Sequence, residues 1–160
     1  MNHPNSKIMQ EVIKEAEKSA DKGQYALAAA VVMNDRIISV ANTNLHETQD
    51  PSAHAEMNAI RNACSKTGSR YLEGAWLYTT QEPCPMCTSV AIWAKMSGIV
   101  FGAYENDAIE MYKKQAGSQF TWRQINITAS YVASKGEPKL KVIEGFMRDE
   151  CVKLYELNSK

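Results

Sequence analysis

Two short runs constrain this chain more than anything else in it. One is His54-Ala55-Glu56, inside DPSAHAEMNAIRNA. The other is Pro83-Cys84-Pro85-Met86-Cys87, with 29 residues separating His54 from Cys84. Asp50 before Pro51 has the form of a helix start. Ala53, Met57, Ile60 and Cys64 then mark an inward helical face that ends at Gly68, which puts His54 in a first turn. In the second run Pro85 suits a first helical position with Cys84 as the cap. Met86, Val90, Trp93 and Ala94 carry that helix toward Gly98. Any fold of this chain has to build a pocket over these two helix starts.

Cys84 and Cys87 are three apart, so on a helix their side chains lie within about 60° of each other and both sulfurs can reach one ion. A helix N-terminus also helps keep thiols ionised. Zinc takes Cys and His ligands in a tetrahedron, and a catalytic site supplies three of them, leaving one position for water. His54 is the natural third ligand, since His3 stands in the terminus and His46 in a polar loop. Bound zinc lowers the pKa of water from about 16 to about 7, and the reaction then needs a proton carrier, for which Glu56 is placed. Two residues on a regular helix are ~200° apart, so spacing alone does not explain how His54 and Glu56 both face a metal. A lone Cys-x-x-Cys also suits a structural zinc half-site or a redox pair. Neither of those needs His54 and Glu56, and Cys64 and Cys151 lie on apolar helical faces that read as core.

The rest of the chain is read for what it builds around that site. Its 160 residues fit one domain spanning residues 1–160, and 44% hydrophobic with 22% charged residues is ordinary for a globular protein. Eighteen basic against eighteen acidic residues leave no net charge to steer the protein to a nucleic acid or anionic membrane. No stretch approaches the ~20 apolar residues of a membrane span, and no signal-peptide core is present, so a cytoplasmic location is expected.

Ile8, Met9, Val12, Ile13, Ala16 and Ala20 predict an amphipathic helix stopping near Gly23. Leu27 to Met33 and Arg36 to Ala41, joined by Asn34-Asp35, predict a β-hairpin. Asn42 to Gln49 reads as a polar loop, Trp76 to Thr79 as a third strand and Ile99 to Phe101 as a fourth. Ala108, Ile109 and Tyr112 suggest a short helix, 117–123 a loop, and Asn126 to Val132 alternates like a strand. Ile143, Phe146, Met147, Cys151, Leu154 and Tyr155 predict a closing helix. Helices alternating with strands after an opening hairpin indicate a three-layer α-β-α sandwich with a mixed sheet.

His-Ala-Glu at 54–56 with Pro-Cys-Pro-Met-Cys at 83–87 matches the H-x-E … P-C-x-x-C signature of zinc-dependent base deaminases. From about Val31 to Ala103 the chain resembles the cytidine deaminase-like superfamily, in its guanine deaminase and tRNA adenosine deaminase branch. DPSAHAEMNAIRNAC, LYTTQEPCPMC and IVFGA carry the likeness. The resemblance implies a five-stranded fold, usually dimeric, with one Zn2+ per chain on His54, Cys84 and Cys87. It implies that Glu56 takes a proton from the attacking water and returns it to a ring nitrogen and then to the leaving amine, a hydrolytic deamination releasing ammonia. It further implies a base contact from Asn42, with Asn44 as the alternative, and backbone amides around Ala55 and Cys84 holding the exocyclic group.

Trp93 falls where guanine deaminases carry an aromatic, and equally suits core packing. Phe120 and Trp122 either stack over a flat base or pack in the core. Asp107 and Glu110 either read a purine amino group or form a solvated helix face. Two features depart from the family pattern. The Pro-x-Gly-Ala-Val strand near the metal is replaced by Ala26-Leu27-Ala28-Ala29-Ala30-Val31, and the tail VIEGFMRDECVKLYEL looks more like that of tRNA adenosine deaminases. The expected substrate is a small purine-like base or nucleoside, guanine first. Adenosine in tRNA is the alternative, set second because RNA affinity draws on phosphate contacts that a neutral protein supplies poorly. An inactive, zinc-stabilised subunit is the third reading.

Overall fold

The computed structural model describes residues 3–115 and 124–159. Helix α1 (Ser6–Asp21) starts where the Asn5 side chain accepts the Lys7 and Ile8 N–H groups, and it buries the Ile8, Met9, Val12 and Ala16 stripe. Strands β1 (Ala28–Met33) and β2 (Arg36–Asn42) form the expected hairpin. Its turn residues Asn34 and Asp35 have φ of 47° and 64°, the paired positive values that a two-residue hairpin turn requires and that Asn and Asp tolerate.

The elements that follow are α2 (Leu45–Thr48), α3 (Ala55–Thr67), β3 (Trp76–Gln81), α4 (Pro85–Trp93) and β4 (Gly98–Ala103). After them come α5 (Glu105–Lys114), α6 (Ala129–Lys135), β5 (Lys141–Ile143), α7 (Arg148–Lys153) and a 3₁₀ segment, Leu154–Ser159. The sheet order is β2-β1-β3-β4-β5. β1 runs antiparallel to both β2 and β3, whereas β3, β4 and β5 are mutually parallel neighbours. Each parallel pair needs a crossover, and α4 supplies the first while α5 and α6 lie in the second.

Successive strand residues face opposite sides, so β1 feeds two cores. Ala29 and Val31 join Ala59, Ile60 and Ala63 of α3, Ala91 of α4 and Ala133 of α6 on one face. Ala28, Ala30 and Val32 join α1, Ala108 of α5, Cys151 of α7 and Tyr155 on the other. Covering on both faces is why β1 reads as an unbroken apolar run. The alanines that replace the glycine-bearing family strand are buried in these cores. The three-layer α-β-α architecture with a mixed five-stranded sheet is the one expected.

Four local expectations are corrected. Residues 126–132 are not a strand: Thr128 caps α6 by accepting the Tyr131 N–H, and Ile125 and Ile127 are 59% and 40% exposed. The fifth strand is the three-residue β5, ending on Ile143, the first residue of the stretch read as a closing helix, and that helix begins only at Arg148. Short apolar runs carry too few residues to separate period 2 from period 3.6, and here pairing with β4 decided. The polar loop after β2 contains the single-turn α2. Finally, Asp50 does not cap α3: its carboxylate accepts the Ser52 N–H and hydroxyl, closing a separate turn, and the helix begins at Ala55.

Cys151 is core, as expected. It packs so closely on Gly102 of β4 that a Cβ there would overlap its thiol. Cys64 is only half-buried. Among the described residues no helix is long and apolar enough to cross a membrane.

Candidate active site

His54 is the N-cap of α3, with φ −68° and ψ 153°, and Glu56 is the second residue of the helix proper. Because His54 is extended, the ~200° separation of helical residues two apart does not apply to it. Its ring leaves the backbone in a different direction and both side chains reach one place. Cys84 is likewise an extended N-cap, of α4, with Pro85 behind it and Cys87 one turn on.

His54 Nδ1 lies 3.7 Å from Cys84 Sγ and 3.6 Å from Cys87 Sγ. The three donor atoms all fall within 4.8 Å of one another, and this is the one such cluster of His, Cys, Asp or Glu among the described residues. Tetrahedral zinc with bonds of about 2.3 Å to sulfur and about 2.05 Å to nitrogen places S and N about 3.6 Å apart. Two thiols and an imidazole at this spacing therefore fit zinc, with His54 binding through Nδ1.

The local electrostatics favour an ionised Cys84. The Cys87 thiol and the His54 ring, each hydrogen-bonded to Cys84, pull its pKa down to about 4 against the opposing effect of burial. Cys87, paired to that thiolate and buried, is pushed the other way, so the two cysteines share one proton. His54 is raised, chiefly by its hydrogen bond to Cys84.

Glu56 is 7% exposed and its pKa is raised, burial being the largest cause. Its Oε2 accepts from Cys87 Sγ at 3.6 Å. The Thr79 hydroxyl lies 3.1 Å from Glu56 Oε1 and 3.0 Å from the Gln81 carbonyl. With one proton and two lone pairs, it can donate to an ionised Glu56, or donate to Gln81 and accept from a protonated one. Thr79 thus suits a carboxyl group that changes protonation state.

Of these groups His54, Glu56 and Cys84 line a cavity of about 490 Å³, the size of small-molecule sites. Ala55 is among its lining residues. Thr43 lines it where Asn42 and Asn44 were expected. Asn42 turns its side chain to Glu15 of α1 at 3.0 Å, and Asn44 Oδ1 accepts from Asn58 at 2.8 Å. Strand alternation sends neighbouring side chains to opposite sides, and the inward one is Thr43.

Trp93 does not line the cavity. It closes α4 nine residues beyond Cys84, about 13 Å along the axis, and is 80% exposed. Asp107 is committed elsewhere: it accepts both guanidinium contacts of Arg148, at 3.0 and 2.7 Å, and the Tyr104 N–H at 2.9 Å. Glu110 pairs with Lys113 at 3.0 Å. Phe120 and Trp122 lie outside the described residues.

The structure adds wall residues that sequence reasoning passed over, Tyr25, His46, Glu82, Glu105 and Ile125, beside Leu27 of the strand read as lying near the metal. His46 stands in the segment read as loop, its ring stacked 5.9 Å from that of Tyr25. Only the apolar alternation of Ile125 and Ile127 gave a signal there, and it pointed to a strand.

The model for the cytidine and deoxycytidylate deaminase zinc-binding region matches residues 2–103. The chain belongs to this family. Within it, the tRNA-specific adenosine deaminase of Bacillus subtilis (strain 168) is 47% identical over 98 residues, covering 61% of this chain and 60% of that protein. The guanine deaminase of the same organism is 40% identical over 82 residues, covering 51% of this chain and 53% of that one. This deaminase-family chain thus spans about three fifths of the length of the first curated relatives it matches. Among solved structures, one from studies of A-to-I editing by tRNA:A34 deaminases at the wobble position of transfer RNA superposes with a TM-score of 0.77 at 25% identity. It covers 94% of this chain and 99% of its own. With 94% of the chain covered, the structural likeness extends past residue 103.

Proposed function

We propose that this chain catalyses zinc-dependent hydrolytic deamination of an amino-bearing purine. The observation that carries the reading is the His54, Cys84 and Cys87 cluster at zinc spacing, with the buried carboxyl of Glu56 against it on the floor of a cavity. Zinc bound there would act as a Lewis acid and lower the pKa of water to about 7. Glu56 would pass one proton of the attacking water to the ring nitrogen and then a second, from the hydroxyl left on the ring carbon, to the departing amine, so that both water protons are used and ammonia leaves. Burial raises its proton affinity toward the range such a shuttle needs. Thr79 would hold its Oε1 through both states, and the start of α3 at Ala55 would face the substrate's exocyclic group.

Adenosine in transfer RNA is the first substrate reading. It is supported by the 47% identical relative and by further tRNA-specific adenosine deaminases at 39% and 33%. Guanine, first by sequence reasoning, moves to second place because the relative of that name is 40% identical over a shorter span. A free base is still favoured by one observation: the described residues lining the cavity include Glu56, Glu82 and Glu105 and no Lys or Arg, a poor surface for phosphates. The decisive measurement is ammonia release by zinc-loaded protein from an anticodon stem-loop, from adenosine and from guanine, with Glu56→Ala as control. Release from the stem-loop alone supports the first reading and release from guanine alone the second. No release from any purine overturns the proposal in favour of an inactive subunit.

A homodimer in the cytoplasm completes the proposal. Four free thiols suit a reducing compartment. An indole left 80% exposed at Trp93 marks a surface that a second copy would cover. Trp93→Glu is expected to shift the protein from dimer to monomer in sedimentation equilibrium. A wild-type monomer would contradict this.

A further inference from the structure

Glu82 stands two residues before the zinc-facing Cys84, 8% exposed, with both carboxylate oxygens occupied. Oε2 accepts the backbone N–H of Glu105 at 3.0 Å and Oε1 accepts that of Ala129 at 3.0 Å. Those two residues open α5 and α6. The same segments face the cavity, through Glu105 itself and through Gln124 and Ile125 shortly before α6. One buried side chain therefore ties the strand that leads to the metal ligands to two other stretches of cavity wall, 23 and 47 residues away in sequence. A carboxylate is suited to this because it is acceptor-only, whereas an amide of the same shape must turn its NH2 toward one of the two N–H groups. Buried N–H groups left unpaired are costly, so the tie is a strong one.

We propose that Glu82 is a positioning residue, holding the α5 and α6 starts at the distance the substrate needs and so setting substrate affinity rather than metal binding or the proton step. It is not a member of the metal-ligand cluster, and its two oxygens are already committed to backbone donors. The inference rests on the deaminase reading above.

The test compares zinc-loaded wild type with Glu82→Gln, which keeps the volume and one acceptor, and with Glu82→Ala, which keeps neither. Glu82→Gln is expected to raise KM about tenfold while kcat stays within about threefold and zinc content is unchanged, a hydrogen bond to a charged group being worth about that factor. Glu82→Ala is expected to extend the same trend. Hydrogen–deuterium exchange is expected to accelerate in peptides covering 104–108 and 126–132 and to stay unchanged in α3. Unchanged exchange in both peptides overturns the proposal, as does loss of zinc and kcat with KM unmoved. Should wild type release ammonia from no substrate, the deaminase reading fails, and exchange still decides the Glu82 tie.

Discussion

The two walls of the cavity are built by opposite means. The metal-facing wall comes from His54, Ala55, Glu56 and Cys84, at two helix starts whose side chains converge because each begins with an extended cap. The facing wall is assembled from Tyr25 and Leu27 before β1, His46 on a single helical turn, Glu105 at the start of α5 and Ile125 before α6. The first obeys local rules of capping and spacing. The second depends on contacts such as those of Glu82 with Glu105 and Ala129. On the proposed reading, reaction chemistry belongs to the first wall and substrate choice to the second.

The contrast can be broken most sharply at Cys87. Cys87→Ala is expected to reduce zinc from about one ion per chain to near zero and to abolish turnover, read by metal analysis and ammonia release. Retention of zinc in that variant would mean the local wall is not the metal site. Next in size, Glu56→Ala is expected to keep zinc while lowering kcat by about 10²- to 10⁴-fold. Full activity without the carboxyl would remove the proton shuttle from the scheme.

A change in the packing of β4 against α7 tests the long-range side. A Cβ at Gly102 would overlap the Cys151 thiol, sit 2.7 Å from its Cβ and lie 3.1 Å from the Thr80 carbonyl. Gly102→Ala is expected to cost about 1–3 kcal/mol and to lower Tm by about 5 °C, with partial recovery in the Gly102→Ala, Cys151→Ala double variant. An unchanged melting curve would show that β4 and α7 have room the packing denies.

The smallest effect is electrostatic. The Arg148 guanidinium holds the Asp107 carboxyl below its usual range, so the folded state binds that proton less tightly than the unfolded chain. The pair's contribution is fully present above the ordinary aspartate value of about 3.9 and is lost as pH falls through the depressed folded value. Asp107→Asn is expected to lower Tm by about 1–2 °C at pH 7 and by progressively less as pH falls through the depressed folded value, since a pair whose Arg148 partner is half-exposed is weak. A difference that stays constant as pH falls would assign the effect to the helix start rather than to charge.

Much of the fold was legible because its signals are local. The Ile8 to Ala16 stripe, the Asn34-Asp35 turn, Pro85 after Cys84 and Gly68 after α3 each state their own conformation. What failed did so for want of length or of partners. Lys141–Ile143 is too short to announce itself as a strand and is one because β4 offers it a parallel edge. Asn42 and Asn44 flank the residue that faces the cavity, and only the orientation of β2 against α1 shows that Thr43 points inward. Trp93 shares a helix with the cysteines, yet the helix rise carries it out of reach.

By itself the sequence singled out the candidate metal donors, the carboxylate proposed as proton carrier and the layered class of the fold, since residue type, motif spacing and periodicity are carried within a few turns of chain. Tertiary structure alone decided how His54 and Glu56 come to face one point, through an extended cap that helical arithmetic does not describe. It also decided which residues close the cavity opposite them, because hydrogen bonds and burial there join segments up to 47 residues apart, and no local pattern encodes such a meeting.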